Sequence, residues 1–311
     1  MQACLGSPET FVGCIMKGAC VTLPCVGFGL GKLHHVFSAA QRERIVLGAF
    51  DAGLTHFDLA AAYGDGLCEA EAGRILRGRR STVSLATKFG IPCRSLGGRS
   101  TLFYFAGKAL RKGFSRSYGS EYALRNFSPA AAVHALEQSL KRLRTDYVDY
   151  FFFHEPRDSQ DFGVVLQAVE AMERLKQKGK ILHYGISAST EQFLVFGRED
   201  AIGDTVQFEL ASQSPSLVAM LPTNCRTSAF GLMRFLTSHD RARRLDYGEV
   251  LRWFFDHYPA TMPILATNRP DEIARLGRAL TDLSTEFAAT PGASPLRRRS
   301  DAPDASRAPE R

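Results

Sequence analysis

The sequence lacks any arrangement of cysteine and histidine that is typical of a metal site. Its seven cysteines form no C-x-x-C pair, and no histidine-rich run accompanies them, so the usual zinc spacing is absent. An odd number of cysteines also argues against a fully paired disulfide framework. We therefore expect reduced thiols, a cytoplasmic location and no bound metal.

Long hydrophobic runs are missing as well. The apolar stretch near the start of the chain is interrupted by Glu9, Lys17 and Pro24, and no cationic segment precedes it. We therefore expect neither a signal peptide nor stable insertion into a membrane. The sequence does contain 45% hydrophobic and 23% charged residues, which is near the average of globular domains and enough to bury a full core.

Two segments depart from this average composition. Residues 91–127 hold seven basic residues against the single acid Glu121, and therefore most of the net charge of +7. Such a segment can bind nucleic acid or an anionic membrane, attract an anionic cofactor or substrate, or be an ordinary solvated loop. Residues 288–311 are rich in Pro, Ala, Ser and Arg without apolar periodicity, which predicts a disordered tail.

Patterns typical of strands and helices alternate from about residue 21 to residue 280. The clearest helix has Ser128 as its N-cap and Pro129 in its first turn. The clearest strand, at 147–153, is almost wholly aromatic or apolar, as strands buried on both faces are. About eight βα units predict a closed parallel (β/α)8 barrel, or TIM barrel. The seventh strand is the least distinct, and we place it at 226–230.

We expect this barrel to be a single domain over residues 1–287. The basic segment 91–127 then follows the third strand and becomes an insertion on the face where barrel enzymes bind their substrates. Because it contains no recognition-helix or zinc pattern, we predict that it is a lid and that the protein binds no nucleic acid. The sequence leaves the oligomeric state open.

Reactive groups in such a barrel collect at the C-terminal ends of the strands, and four polar residues are expected there: Asp58, Tyr63, Lys88 and His154. Singly, each has a structural explanation, as a helix cap, a loop anchor, a surface lysine or a satisfied histidine. Together at one mouth they suit carbonyl reduction, in which hydride addition creates an alkoxide that needs a proton. Tyr63 would donate that proton, and Lys88 would make the phenol more acidic. Asp58 would hold the lysine, and His154 would orient the carbonyl oxygen.

Several motifs of the chain resemble those of the aldo-keto reductases. They are F-D-x-A-x-x-Y-G-x-G-x-x-E-A-x-x-G from Phe57, A-T-K-F-G from Ala86, S-L-K-R-L-R-T-D-Y-V-D-Y-F-F-F-H-E-P from Ser139, and G-K-I-L-H-Y-G-I-S from Gly179. The likeness runs from about residue 23 to residue 280. It implies that the four residues above form a catalytic tetrad, that the cofactor is NADPH, and that the substrate is a small carbonyl compound.

The same resemblance implies cofactor-binding roles. Ser187 and Gln207 match the positions that hold the nicotinamide carboxamide, which needs both an acceptor and a donor. The turn formed by Thr267, Asn268 and Arg269 precedes a helix and matches the family's phosphate-binding turn. A helix N-terminus with an arginine suits a 2′-phosphate, although an ordinary solvated turn has the same pattern.

Gly29 lies in the run GFGLG at 27–31, which resembles the start of a dinucleotide fingerprint but lacks its spacing. In a barrel, this glycine would let the backbone approach the cofactor at the end of the first strand. Leu30 and Leu59 stand where the family commonly has Thr, and Ala188 where it often has Asn. An apolar substrate pocket could involve the aromatic residues Phe89, Phe103, Tyr104, Phe105 and Trp253.

Two other functions compete with the reductase. The first is a regulatory barrel that binds the cofactor with little turnover, as the potassium-channel β subunits that resemble this family do. The second is a metal-dependent hydrolase that would use His154 and Asp58, but the chain has no H-x-H motif or clustered carboxylates at its strand ends.

Overall fold

The computed structural model describes residues 25–93, 101, 104–107, 125–196, 202–237 and 246–289. Within these residues, eight parallel strands close into a barrel in chain order. They are β1 (Gly27–Gly29), β2 (His56–Asp58), β3 (Ser84–Phe89), β4 (Val148–His154), β5 (Ile181–Ser189), β6 (Thr205–Glu209), β7 (Arg226–Phe230) and β8 (Thr261–Leu265). The predicted (β/α)8 barrel is confirmed, and β7 lies at the predicted residues.

Helices connect the strands and pack around the barrel. They are α1 (Ala39–Asp51), α2 (Leu67–Ile75), α3 (Pro129–Leu143), α4 (Ser159–Gln177), α5 (Thr190–Phe196), α6 (Ser214–Met220), α7 (Leu232–Leu236), α8 (Tyr247–His257) and α9 (Pro270–Ala289). The short helices α6 and α7 flank β7 in a stretch whose weak periodicity did not predict them. Among the described helices, none is both long and apolar enough to cross a bilayer.

The alternation of side chains along β4 determines which way the last residue of this strand, His154, points. Phe151 and Phe153 belong to the large core between the barrel and the helices, whereas Tyr150 and Phe152 belong to a small separate cluster. Because successive side chains of a strand point to opposite faces, His154 follows Tyr150 and Phe152 on the inner face. The same alternation turns Leu30, Leu59 and Ala188 outward into the large core.

A buried ion pair joins α2 to α3 and supports the end of β3. The Ser128 hydroxyl caps α3 by accepting a hydrogen bond from the Ala131 backbone N–H, as predicted. In the last turn of this helix, Arg142 Nε lies 2.6 Å from Glu69 Oε2, and Glu69 Oε1 accepts a hydrogen bond from the Thr87 hydroxyl at 2.5 Å. Since Thr87 directly precedes Lys88 in β3, this network holds the strand in place next to the lysine.

A few residues of the expected insertion 91–127 lie within the described ranges. Tyr104 is buried, with its ring edge-on to His34 at a centroid distance of 6.2 Å, and Phe105 contacts Phe37 at 4.9 Å. These contacts attach part of the insertion to the loop after β1, so the two aromatic rings pack the segment onto the barrel. Most of the insertion lies outside the described residues, which leaves the expected lid a prediction.

The last helix extends beyond the expected domain boundary. We placed the boundary at residue 287, whereas α9 continues to Ala289. The remainder of the expected tail, residues 290–311, lies outside the described residues.

Asp204, just before β6, is the centre of an ion-pair cluster. Its Oδ2 atom lies 2.9 Å from Lys176 Nζ and 2.7 Å from His183 Nδ1. Partial burial raises the pKa of the Asp204 carboxyl, but the hydrogen bonds from His183 and Lys176 outweigh it and lower the pKa to about 2. The folded state therefore favours the ionised carboxylate more than the unfolded chain does.

We expect Asp204→Asn to lower the free energy of unfolding at pH 7 by about 1 kcal/mol, a value reduced for solvent screening because the carboxyl is 30% exposed. The stabilisation is present above the unfolded pKa of about 4 and is lost as the pH falls through about 2. Urea unfolding at pH 7 and at pH 2 measures it. This account would be contradicted if the variant lowered the free energy of unfolding by the same amount at pH 2 as at pH 7.

Candidate active site

Asp58 and Lys88 form a buried ion pair at the C-terminal ends of β2 and β3. Lys88 Nζ lies 2.6 Å from Asp58 Oδ1 and donates a second hydrogen bond to the Leu59 carbonyl oxygen at 2.8 Å. The two side chains are only 1% (Lys88) and 8% (Asp58) exposed. Burial lowers the pKa of Lys88, while the charge of Asp58 and the hydrogen bond to it act in the opposite direction. The aspartate therefore favours the charged form of a deeply buried ammonium group.

Tyr63 lies in the loop between β2 and α2, next to this ion pair. Lys88 Nζ is 5.3 Å from the centroid of the Tyr63 ring. The following residue, Gly64, has a φ of +65°, and a Cβ atom there would lie 2.5 Å from the Cβ of His34. Only glycine fits this position without strain. Gly64 therefore allows the loop that carries Tyr63 to pack tightly against His34.

His154 ends β4 and is buried beside Tyr63, with ring centroids 5.8 Å apart. Its Nδ1 atom has no hydrogen-bond partner among the described residues. Burial, followed by the positive charges of Lys88 and Arg125, lowers the pKa of His154 well below its usual value of 6.5. The imidazole is therefore neutral at pH 7 and offers one N–H donor.

A chain of hydrogen bonds connects β5 and β6 to Asp58. Ser187 and Gln207 are paired in register on these two strands. The Ser187 hydroxyl donates to Gln207 Oε1 at 2.6 Å, and Gln207 Nε2 donates to Asp58 Oδ1 at 2.9 Å. The structure thus connects both residues, which we expected near the nicotinamide, to the Asp58–Lys88 pair: Gln207 directly, and Ser187 through Gln207.

The site is a cleft of about 290 Å³ at the mouth of the barrel. The residues expected from the sequence that line it are Gly29, Asp58, Tyr63, His154, Ser187 and Gln207. Lys88 is buried beneath this lining, where it contacts Asp58. Phe89 does not line it, because it stacks on Phe151 in the core at 4.8 Å. Trp253 packs on α8 and α7, 5.9 Å from Phe235, and Phe103 lies outside the described residues.

Sequence reasoning missed several residues that also line the cleft. They are Lys32, Glu155 and the segments 230–234 and 264–266. The signal for 230–234 was present, since we placed the seventh strand at 226–230 and residues after a strand end line the mouth of such a barrel. The signal for Glu155 was its position directly after His154.

The expected phosphate-binding turn lies next to one end of the cleft. Asn268 Nδ2 donates to the Lys32 carbonyl oxygen at 2.8 Å, and the Thr267 hydroxyl accepts from the Arg269 backbone N–H at 3.2 Å. The Arg269 side chain is exposed and pairs with Asp271 at 2.8 Å. A phosphate at this turn would therefore compete with Asp271 for the guanidinium.

In the part of the chain that the structure describes, no three His, Cys, Asp or Glu side chains come together as metal ligands would. The metal-dependent hydrolase that we considered therefore gains no support from the geometry. His154 and Asp58 instead belong to a set with a lysine, a tyrosine and an amide, which are donors of hydrogen bonds rather than ligands of a metal.

Comparison of sequences with known proteins finds matches that cover somewhat more than half of the chain. The profile of the Aldo/keto reductase family matches residues 25–193. The L-glyceraldehyde 3-phosphate reductase of Escherichia coli strain K12 is 31% identical over 173 residues, 53% of this chain and 42% of that protein. An aldo-keto reductase of Mycolicibacterium vanbaalenii is 31% identical over 182 residues, 58% of this chain and 50% of that protein. The chain thus spans about half the length of the curated relatives it matches.

Solved structures resemble the chain over more of its length. The holo form of an aldo-keto reductase from Bacillus halodurans has a TM-score of 0.59 and 20% identity, covering 85% of this chain and 91% of that one. An aldo-keto reductase from Klebsiella pneumoniae, solved in complex with NADPH, has a TM-score of 0.58 and 21% identity, covering 91% and 95%. At these identities the likeness shows a shared fold.

Proposed function

Because this chain belongs to the Aldo/keto reductase family, we propose that it reduces an aldehyde or ketone to an alcohol, with NADPH as the cofactor. The observation that carries this proposal is the cluster of Tyr63, His154 and the buried Lys88–Asp58 pair at one cleft. NADPH would supply the hydride that adds to the carbonyl carbon. The protein must then supply a proton and stabilise the charge that develops on oxygen.

Tyr63 is the proton donor in this proposal. The ammonium of Lys88 lies 5.3 Å from its ring centroid in a buried environment, where a positive charge stabilises a nearby phenolate more than it would in water. His154 is neutral, so it is a poor acid and serves instead to orient the carbonyl oxygen through an N–H donor. Asp58 keeps the ammonium charged and in place.

The cleft suits the nicotinamide end of the cofactor. A Cβ atom at Gly31 would lie 3.3 Å from the Tyr63 ring, so glycine keeps the space next to the tyrosine open. Ser187 and Gln207 would hold the carboxamide. In addition to the hydrogen bonds that they already make, the Ser187 oxygen can accept through its lone pairs and the Gln207 amide can donate through its second N–H. The cations Lys32 and Arg234 line the same cleft and suit its phosphates.

Gly29 would allow close approach of the backbone to the cofactor, and Thr267, Asn268 and Arg269 would hold the 2′-phosphate at the start of α9. Two known proteins support the choice of NADPH. The Klebsiella structure contains it, and a Schizosaccharomyces pombe relative that is 28% identical over 171 residues is named an NADP(+) aldo-keto reductase.

The proposal is tested by NADPH consumption with a panel of aldehydes, ketones, sugars and quinones. Turnover that depends on a carbonyl substrate supports the reductase. Tight NADPH binding with negligible turnover would instead support a regulatory barrel of the kind found in potassium-channel β subunits. Calorimetry with NADPH, run on the same protein, separates lack of turnover from lack of cofactor binding.

We expect Arg269→Ala to weaken NADPH binding about tenfold while changing NADH binding much less, because only NADPH carries the 2′-phosphate that the guanidinium would bind. Dissociation constants of the two cofactors, measured by fluorescence titration, test this expectation. Asp271→Asn is the matched comparison. Removing the carboxylate that competes for Arg269 should leave NADPH binding unchanged or tighter. Equal weakening of both cofactors in Arg269→Ala would place the 2′-phosphate elsewhere.

A further inference from the structure

Glu155 lies in the cleft beside the histidine that would orient the carbonyl. It directly follows His154, and its backbone N–H donates to the Ser187 carbonyl oxygen at 2.7 Å, continuing the pairing of β4 with β5. Regular alternation would turn its side chain away from that of His154. Glu155 instead has a φ of +53°, a left-handed value that is unusual for a residue with a side chain and that reverses the direction of its Cβ. Both residues line the cleft.

Arg125 forms an ion pair with the carboxylate of Glu155. Its Nη2 atom lies 3.1 Å from Glu155 Oε2, and the side chains are 5% (Arg125) and 45% (Glu155) exposed. The guanidinium is therefore covered, and the exposed member of the pair is Glu155, which lines the cleft. An ionised carboxylate only accepts hydrogen bonds, so a ligand at this position must bring O–H or N–H donors.

The charges of the mouth are divided between two sides. Lys32 follows β1, and Arg234, which pairs with Glu209 at 2.7 Å, follows β7, so both cations lie on the side of the closed barrel that includes β8. Glu155 follows β4, which is opposite β8 in an eight-stranded barrel. The cations suit the phosphates of a cofactor, whereas a substrate that reaches His154 meets a carboxylate.

Two features of the pair narrow the kind of substrate. Arg125 neutralises the charge of Glu155 over longer distances, so the pair has little attraction for a cationic substrate, yet the carboxylate remains a strong acceptor at short range. An anionic group beside Glu155 would meet an oxygen that has no proton to donate and would be repelled. Uncharged hydroxyl groups satisfy both conditions.

We propose that Glu155 is a specificity-determining residue that accepts a hydrogen bond from a hydroxyl group near the reacting carbonyl. The protein then prefers uncharged hydroxyaldehydes to plain aldehydes of the same length, and it discriminates against aldehydes that carry a carboxylate. This inference rests on the reductase function proposed above.

The test compares glyceraldehyde, propanal and succinic semialdehyde as substrates of the full chain with NADPH. In wild type, kcat/KM should be higher for glyceraldehyde than for propanal. Glu155→Gln should reduce that ratio about tenfold, mainly through the KM of glyceraldehyde, because a charge-assisted hydrogen bond becomes a neutral one. The same variant should improve kcat/KM for succinic semialdehyde. The control is Glu286→Gln, which removes the carboxylate of the exposed Arg252–Glu286 pair on the outer helices. It should leave the ratio of the two kcat/KM values unaltered.

Glu155→Gln removes the carboxylate that pairs with the buried guanidinium of Arg125, so the double variant Arg125→Met/Glu155→Gln is measured as well. It carries neither charge and should show the same loss of preference. If both variants reduced the two aldehydes with the wild-type ratio of kcat/KM for glyceraldehyde to kcat/KM for propanal, this inference would be overturned and the proposed function would stand. A wild-type protein that reduces no aldehyde would overturn the proposed function, and this inference with it.

Discussion

Replacement of Tyr63 by phenylalanine is expected to lower kcat for carbonyl reduction by about a hundredfold to ten-thousandfold, the range that positioned acid catalysis contributes. The change removes one hydroxyl group and keeps the ring that contacts His154 and lies 5.3 Å from Lys88 Nζ. Affinity for NADPH should therefore remain within about twofold of wild type. Single-turnover kinetics, together with cofactor titration, separate the two effects.

Tyr258→Phe is the matched control for this experiment. The Tyr258 hydroxyl is buried at the end of α8 without a hydrogen-bond partner among the described residues, and Tyr258 is not among the residues that line the cleft. Its removal should leave kcat unchanged. If Tyr63→Phe kept turnover within a few-fold of wild type, another group would have to deliver the proton, and the mechanism would be wrong.

Replacement of Lys88 by methionine is expected to abolish activity and also to destabilise the fold. The variant loses the ammonium beside Tyr63. Among the described residues, the buried Asp58 carboxylate then keeps one side-chain hydrogen bond, from Gln207 at 2.9 Å. Removing one partner of a buried ion pair costs about 3 to 5 kcal/mol. The free energy of unfolding from urea titration and the rate of NADPH oxidation should therefore both fall.

A second variant separates these two losses. Asp58→Asn/Lys88→Met removes both charges, so it should recover most of the lost stability while remaining inactive, because the positive charge near the phenol is still absent. Recovery of activity together with stability would mean that Lys88 acts only by keeping the site folded. Full stability of the single variant would contradict the account of a paired, buried charge.

The sequence was most informative where one local pattern dictates one local structure. Ser128 and Pro129 predicted the start of α3. A serine hydroxyl caps the free backbone N–H groups of the first turn, and a proline there lacks the N–H that would otherwise need a partner. The aromatic run at 147–153 predicted a doubly buried strand, and β4 occupies nearly these residues. By contrast, α6 and α7 have five to seven residues each, too few to show a helical period.

Neighbours in sequence can be separated by the fold, and this limited the prediction of the site. Phe89 directly follows Lys88, but alternation along β3 sends it into the core against Phe151. Glu155 follows His154 and by the same rule should point away from it, yet its left-handed backbone brings it into the cleft. A pattern of residue types does not reveal such a change in a single dihedral angle.

The sequence by itself determined the barrel and the strand ends that carry Asp58, Lys88, His154, Ser187 and Gln207, because hydrophobic periodicity and the parallel βα repeat leave few other arrangements. Only the tertiary structure decided how these groups pair. Strands far apart in the chain close into one barrel, which places Gln207 2.9 Å from Asp58 across 149 residues of sequence. Burial there changes the chemistry of the side chains, because removal of water turns weak charge interactions into strong ones.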